Sequence, residues 1–384
     1  MKKILFILEN LGAGGAERVL PCLLKYMDKA KYDITVLTLF EAGVNQKRLP
    51  ERIKYVNRGA FHFRGITYLV KWFSPWILYN FYVNRVIDGA SFDIVIAYMN
   101  GLPTKVAAGA PCRKVTWLHG NFNVKETLNF PKNFISFHGM RKCLESFDGI
   151  VGVSQAICDS FKEFSGVPQK IRLIHNTIDV EEIRQKAEES NPYTENGIKK
   201  GCIRLVTVGH LQPVKGNDRL LEAVSQIRNN KLNFHLTILG EGSERHVLET
   251  YIREHNLDSC VAMPGHIDNP YPYIKNADIY VCPSRSEGFS TAVSEALILG
   301  VPVISTRVSG ADEMLGEHNE YGIVCDNSTE GIYGALKTIL EDQKLREHYK
   351  ECARQRSSMF QPEKTVGDVE RLIDEILEPT AMGR

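Results

Sequence analysis

Short apolar runs recur along this chain, each separated from the next by enough sequence for a helix, and no other feature limits the fold so strongly. Lys3–Leu8, Ile34–Leu39, Ile94–Tyr98, Lys114–Leu118, Gly149–Val153 and Ile171–Ile174 form a first series. Arg204–Val208, Asn233–Leu239, Val261–Met263, Ile279–Cys282, Val303–Thr306 and Gly322–Val324 form a second. These runs are rich in Val, Ile and aromatics, and runs of this length between helical stretches imply parallel strands buried on both faces with crossover helices. Apolar residues three and four apart mark helices over Asp218–Arg228 and Ser243–His255. The two series are separated by KAEESNPYTENGIKK, residues 186–200, which is polar and has no apolar period. The expected architecture is therefore α/β, with two doubly wound domains over 1–190 and 200–361 and a ligand cleft between the carboxyl ends of their sheets. A last helix is expected from Pro362, with Val366, Val369, Leu372, Ile373 and Ile376 on its apolar face.

Composition agrees with two ordinary cores. The chain has 384 residues, 43% hydrophobic and 24% charged, which excludes a disordered, collagenous or coiled-coil protein. Nine cysteines without a CxxC pair argue against a zinc site or disulfide framework and fit a reducing cytoplasm. The opening MKKILFIL imitates a signal peptide, but its apolar run stops at Glu9, so it reads as a buried first strand. Tyr68–Val83 is broken by Lys71, Ser74, Pro75 and Asn80 and is too polar to span a bilayer.

The net charge of +1 hides an asymmetry. Residues 1–190 hold 26 basic and 18 acidic side chains, and residues 47–142 alone hold 15 against 4. The second half is acidic. A basic domain suits an anionic partner, and charge alone does not choose among a membrane surface, a phosphate-bearing substrate and nucleic acid.

Three stretches carry chemistry. Gly12–Glu17, GAGGAE, follows the first strand, where glycines let backbone N–H groups approach a phosphate. A dinucleotide fingerprint needs glycine where Glu17 stands. Val208–Gly216, VGHLQPVKG, brings Lys215 to the start of a helix, within reach of a diphosphate. The most informative is PSRSEGFSTAVSEALILGVPVIS, Pro283–Ser305. A strand ends at Pro283, and a helix is expected from Ser290 to Leu299, with Ser290 or Thr291 as N-cap and Gly300 closing it. Glu287 and Glu295 then flank a helix N-terminus that favours an anion. Carboxylates suit vicinal hydroxyls, so this arrangement has the shape of a nucleotide-sugar site. The plainer reading makes Glu287 a cap and Glu295 a solvated helix residue. No Asp-x-Asp pair occurs, which points to diphosphate charge met by lysine and helix dipole instead of a metal.

With GGAERV, the KG loop, GEGSE at Gly240–Glu244 and EGFSTAVSEALILGVPVIST in place, the chain resembles the retaining glycosyltransferases of family four over nearly its whole length. The resemblance implies the GT-B fold: two Rossmann-like domains, an interdomain cleft and a C-terminal helix (362–380) crossing back onto the first domain. Its variants are similar to those of enzymes building bacterial capsule, O-antigen or teichoic-type glycans. It implies a metal-independent hexosyltransferase that needs no cofactor, with a nucleotide sugar, UDP-linked by expectation, as donor. Glu287 would hold donor-sugar hydroxyls and Glu295 the ribose. The N–H groups from Gly288 and Phe289 to Ser290 and Thr291 would hold phosphate. Lys215 would neutralise the leaving diphosphate, and His210 and Gly240 in the neighbouring loops are expected among the donor-binding residues. Ile267, in PGHID, would meet the base. From the first domain, Gly14 and Gly15 would approach phosphate, and His119 would stand beside the reacting sugar. Two departures stand out: His210 replaces the family's arginine, and Ser309–Gly310 replaces its glycine pair.

For the acceptor, residues 61–88 are dense in aromatics with Arg64, Lys71 and Arg85 between them. Trp72 and Trp76, four apart, are expected on one helical face, which suits a headgroup interface; the alternative is a core helix kinked at Pro75. The expectation is a glycan or lipid-linked acceptor, with peripheral contact to anionic membrane on the inner face of the cell membrane, and no nucleic-acid partner. A GT-B sugar-nucleotide epimerase and a non-catalytic sugar-nucleotide or glycan-binding protein are the rival readings.

Overall fold

A computed structural model describes residues 1–12, 14–40, 43–57, 70–85, 87, 91–120, 136–195, 197–198, 201–228 and 232–378. The chain divides into two compact units, Met1–Ile178 with Pro362–Arg384, and Asp179–Gln361.

In the first unit, seven parallel strands run in the order β3-β2-β1-β4-β5-β6-β7. They are β1 (Lys2–Leu8), β2 (Tyr32–Thr38), β3 (Lys54–Asn57), β4 (Ile94–Ala97), β5 (Arg113–Leu118), β6 (Gly149–Gly152) and β7 (Ile171–Leu173). β1 is central, with Ile4 opposite Ile34 on one side and Ile94 on the other. Ile4 to Leu8 have no solvent exposure, as expected of a strand covered on both faces. β3 escaped the sequence reading because it is an edge strand. Its KYVN is only half-buried and needs no apolar run.

The helix Pro362–Leu377 belongs to this unit. Val366, Val369, Leu372 and Ile373 are buried. Glu370 accepts from the Asp28 N–H at 2.8 Å, and Asp374 pairs with Lys2 at 3.0 Å. Gly149 on β6 has no room for a Cβ, which would lie 2.9 Å from Ile376 Cδ1.

The aromatic segment is not one helix. Val70–Trp72 is a 3-10 turn, Pro75–Tyr79 a separate α-helix and Asn80–Asn84 a π-turn. Pro75 starts the helix, where its missing N–H costs nothing, and the Ser74 hydroxyl caps it by accepting from Ile77 N. The single helical face expected for Trp72 and Trp76 is therefore replaced by two short elements. Both rings are nonetheless exposed, 65% and 68%, with Phe73 and Ile77 between and beside them at 44% each. Lys105, itself buried, donates to the carbonyls of Val70 and Lys71 at 2.8 and 3.0 Å and holds the turn. Residues 61–69, with Arg64, lie outside the described residues.

In the second unit six parallel strands run β10-β9-β8-β11-β12-β13. They are β8 (Ile203–Val208), β9 (Phe234–Leu239), β10 (Val261–Gly265), β11 (Ile279–Cys282), β12 (Val303–Thr306) and β13 (Ile323–Cys325). The helices Asn217–Arg228 and Thr329–Glu341 bury Leu220, Leu221, Val224, Ile332, Leu336 and Ile339 against the sheet. The polar run at 186–200 does not separate the units. The division falls earlier, after Ile178. Asp179 caps the helix Val180–Lys186 by accepting from Glu182 N at 3.0 Å. The segment is then tied to the second unit: Asn269 Nδ2 donates to Lys186 O at 2.9 Å and to Glu189 Oε2 at 2.7 Å. Tyr193 is buried, edge-on to Tyr273 and under Arg204. A polar sequence here reflects an amphipathic packing segment whose few apolar anchors have no helical period.

Each sheet reverses its winding once, between β1 and β4 in the first and between β8 and β11 in the second. Such points leave a crevice at the carboxyl ends of the adjacent strands.

Candidate active site

In the second unit the loops after β8 and β11 meet at the reversal point. Four contacts lock them together. Arg285 N donates to Val214 O at 2.7 Å, Arg285 Nη1 to Pro213 O at 2.6 Å, and Arg219 Nη2 to Pro283 O at 2.8 Å. Arg285 also forms a bidentate pair with Asp218, at 2.7 and 2.6 Å. Gly216 has φ +66°, and a Cβ there would lie 2.1 Å from Pro283 O, so only glycine lets the KG loop approach this closely.

The result is that Lys215 Nζ lies 2.7 Å from Glu287 Oε1, joined on the same oxygen by the Ser284 hydroxyl at 2.6 Å. Burial draws the Lys215 ammonium toward neutrality, but the charge and hydrogen bond of Glu287 outweigh it, and its pKa stands above the ordinary lysine value. Lys215 is therefore a fixed cation with two N–H donors beyond the one given to Glu287. Arg219 and Arg285 are occupied in holding the loops. With His210 exposed at the end of β8 where the family resemblance implies arginine, Lys215 is the loop's ammonium at the crevice.

The helix Thr291–Ile298 begins beside this cluster. Ser290 is its N-cap and accepts from Val293 N at 3.4 Å. No described residue accepts from the N–H groups of Thr291 and Ala292, which point out of the helix end with the positive end of its dipole. Ala292 was not among the residues expected from sequence. Gly288 and Phe289 lead into the cap. Phe289 is buried and packs on Gly310, so the Ser309–Gly310 departure shapes the wall behind the cap.

Glu295 is 4% exposed and accepts from the Tyr271 hydroxyl at 3.4 Å, so it is not a solvated helix residue. Beneath the site lies Tyr280 on β11, fully buried. Its hydroxyl donates to Val208 O at 3.4 Å. Burial pushes its pKa far up, and the charges of both Glu295 and Glu287 add to the rise, so this one hydroxyl senses both carboxylates. Gly240 and Ile267 stand further along the same sheet end, after β9 and β10. A Cβ at Gly240 would lie 1.9 Å from Gly209 O, which makes it a point of close backbone approach. Ile267 is half-buried.

Gly14, Gly15 and His119 lie in the first unit. Gly14 is the N-cap of the helix Gly15–Tyr26, and the Glu17 carboxylate folds over it, 2.2 Å from where a Cβ would stand. His119 follows β5 at its carboxyl end. Its Nε2 lies 3.0 Å from Tyr98 O, and its ring packs on the Tyr98 ring at 5.3 Å. Burial pulls its pKa down to about 4. The imidazole is neutral at pH 7, its Nε2–H donates to the carbonyl, and Nδ1 keeps a lone pair for a ligand. Among the described residues no group of three or more His, Cys, Asp or Glu is arranged to hold a metal, and no helix is long and apolar enough to cross a membrane.

Comparison with known proteins agrees with this geometry. Residues 13–182 match the family model described as Glycosyltransferase Family 4, and residues 193–356 match Glycosyl transferases group 1. A curated relative from Campylobacter jejuni is N-acetylgalactosamine-N,N'-diacetylbacillosaminyl-diphospho-undecaprenol 4-alpha-N-acetylgalactosaminyltransferase. It is 28% identical over 96% of this chain and 98% of its own length. The N-acetyl-alpha-D-glucosaminyl L-malate synthase of Bacillus anthracis is 25% identical over 73% of this chain and 72% of its own. Among solved structures, Anabaena HepE in complex with UDP and glucose aligns with a TM-score of 0.75 at 18% identity, covering 98% of this chain and 100% of that one. WaaG, a glycosyltransferase of lipopolysaccharide biosynthesis, aligns at 0.72 and 17% identity, covering 99% and 100%. Two tandem family models on two doubly wound parallel sheets make this chain a GT-B glycosyltransferase of family four. Within that class it resembles the enzymes of bacterial surface polysaccharides.

Proposed function

We propose that this glycosyltransferase moves a sugar from a UDP-sugar to a hydroxyl of a lipid-linked glycan in bacterial surface-polysaccharide synthesis, with retention at the anomeric carbon. The observation that carries this is the second unit's cluster: Lys215 and the free N–H groups of Thr291 and Ala292 for a diphosphate, beside Glu287 for sugar hydroxyls and the buried Glu295 for ribose. In this reading catalysis is mainly electrostatic. The diphosphate gains charge as the glycosidic bond breaks, and a preorganised ammonium and helix end stabilise that charge. His119 would offer its Nδ1 lone pair to a donor-sugar hydroxyl, and Gly14 and Gly15 would leave room for phosphate. Gly240 and Ile267 would face the nucleoside. Glu287 is given no nucleophilic role. No metal or cofactor is called for, so transfer should survive EDTA.

The lipid-linked acceptor is favoured by the Campylobacter relative, whose name specifies a diphospho-undecaprenol substrate. Four exposed apolar side chains also fall within six residues, Trp72, Phe73, Trp76 and Ile77, with the Lys71 ammonium 5.6 Å from the Trp72 ring centroid. Trp with neighbouring Lys suits the headgroup layer of an anionic bilayer. An epimerase would have no use for this surface.

The test combines UDP-sugars with short-chain polyprenyl-diphosphate glycans and reads products by mass spectrometry. UDP-N-acetylgalactosamine with an N-acetylgalactosaminyl-capped acceptor is the first pair. Transfer is expected, and Lys215→Ala is expected to weaken UDP binding about ten- to a hundredfold, the range of a charge-assisted hydrogen bond. Binding of NAD but of no nucleoside diphosphate would overturn the reading. For the membrane, flotation with anionic vesicles is expected to capture the protein at low salt. Trp72→Ser with Trp76→Ser should abolish capture; equal capture of that variant rejects the surface.

A further inference from the structure

The donor reading above leaves one question open in the cluster: what fixes the Glu287 carboxylate so that it meets a sugar in one orientation. A free carboxylate rotates about its last bond with two nearly equivalent settings. Here two donors converge on a single oxygen, Lys215 Nζ and Ser284 Oγ on Oε1, at 2.7 and 2.6 Å. No described residue donates to Oε2. The plane of the carboxylate is thereby set, with one oxygen saturated and the other left to accept.

Ser284 is built for this. It is 2% exposed and lies two residues beyond β11. Its own carbonyl accepts from the Thr306 hydroxyl on β12 at 2.6 Å, and the same hydroxyl lies 3.3 Å from Cys282 O. Thr306 has no solvent exposure, so the neighbouring strand holds the Ser284 backbone. The Ser284 hydroxyl can donate to Glu287 only if it takes no other role as donor. Cys282 supports this, because its Sγ is 3.7 Å from Ser284 Oγ and donates to it. Burial raises the Cys282 pKa, with the Glu287 charge adding to it, which keeps the thiol protonated as a donor. The hydrogen bonds run in one direction: thiol to hydroxyl to carboxylate.

We propose that Ser284, carried by Thr306 and Cys282, is a positioning residue that presents Glu287 Oε2 to a hydroxyl of the donor sugar. It acts through Glu287 and does not touch the nucleotide. The proposal rests on the nucleotide-sugar reading, and the experiment separates the two. The probes are UDP and UDP-N-acetylgalactosamine, titrated by calorimetry into wild type, Ser284→Ala, Glu287→Gln and the double variant, with a crystal structure of unliganded Ser284→Ala.

Ser284→Ala is expected to bind UDP as wild type does and to lose about tenfold in affinity for the UDP-sugar, as fits one hydrogen bond to a charged group. The double variant should be no weaker than Glu287→Gln alone, since Ser284 has nothing to act through once the carboxylate is gone. In the crystal, the Glu287 carboxylate should rotate or occupy two settings. An equal loss for UDP and UDP-sugar would mean a merely structural role, and an unmoved carboxylate in the crystal would mean that Lys215 alone suffices; either result overturns the proposal. Should Ser284→Ala fold poorly, Ser284→Cys keeps the volume while weakening the donor, and the same comparisons apply. If wild type binds neither probe, it is the nucleotide-sugar reading that fails, while the crystal still decides whether Ser284 sets Glu287.

Discussion

Burial decides the protonation of His119. The ordinary imidazole takes a proton near pH 6.5, while this one holds out to about pH 4. The folded pKa is depressed, so the stability tied to the neutral ring is complete above pH 6.5. It is lost as pH falls through the window down to about 4, because the unfolded chain takes up the proton first. Thermal melts of wild type should therefore fall between pH 6.5 and 4.5, and His119→Gln should flatten that fall by up to roughly 2–3 kcal/mol. The transfer rate should show no limb near pH 6.5 from this residue. In the second unit, the EGFST motif and the Glu287–Glu295 spacing were readable from sequence, since the spacing depends on one local helix. The burial of Glu295 under Tyr271 was not, because it is set by a segment twenty-four positions away. Ser284 looked like any loop serine, as its function arises from contacts with Thr306 and Cys282 across strands.

Among the elements, the helix Thr291–Ile298 has the most to lose from a small change. It is eight residues long, and the Ser290 hydroxyl satisfies one of its first N–H groups. Ser290→Ala should cost about 1 kcal/mol, seen as a drop of about 2–4 °C in the melting of the second unit. It should weaken UDP binding too, since a frayed end presents its N–H groups poorly. Elements buried on both faces were legible to within a few residues, β11 and β12 with the bounds expected. Edge strand β3 was not, because burial pressure on its sequence is weak. The segment at Trp72 and Trp76 misled for another reason: four-residue spacing implies a shared face only inside one unbroken helix. Pro75 at a helix start ended that continuity. Polar composition at 186–200 likewise signalled a linker between the domains, while Asp179, Asn269 and Tyr193 anchor the segment by side-chain contacts that composition does not reveal.

The molecule as a whole has a first unit completed from both ends of the chain. Val366, Val369, Leu372 and Ile373 are buried in it, each contributing about 1.5–3 kcal/mol on burial. Removing the chain from Pro362 onward would strip away an amount comparable to the whole stability of a domain. The shortened protein should show a lost or strongly lowered melting transition for the first unit in calorimetry, while that of the second persists. Two transitions unchanged from wild type would contradict the packing described for this helix.

That arrangement also has a consequence for how the protein is made. The ribosome delivers the strands of the first unit early, the entire second unit next, and the helix from Pro362 only after both. During synthesis the early strands must wait uncovered on one flank while a complete neighbour folds behind them. A message cut short before Pro362 would yield a finished second unit and an open, aggregation-prone first unit, which quality control could recognise and destroy. The first unit thus stays unfinished until translation has passed Leu377.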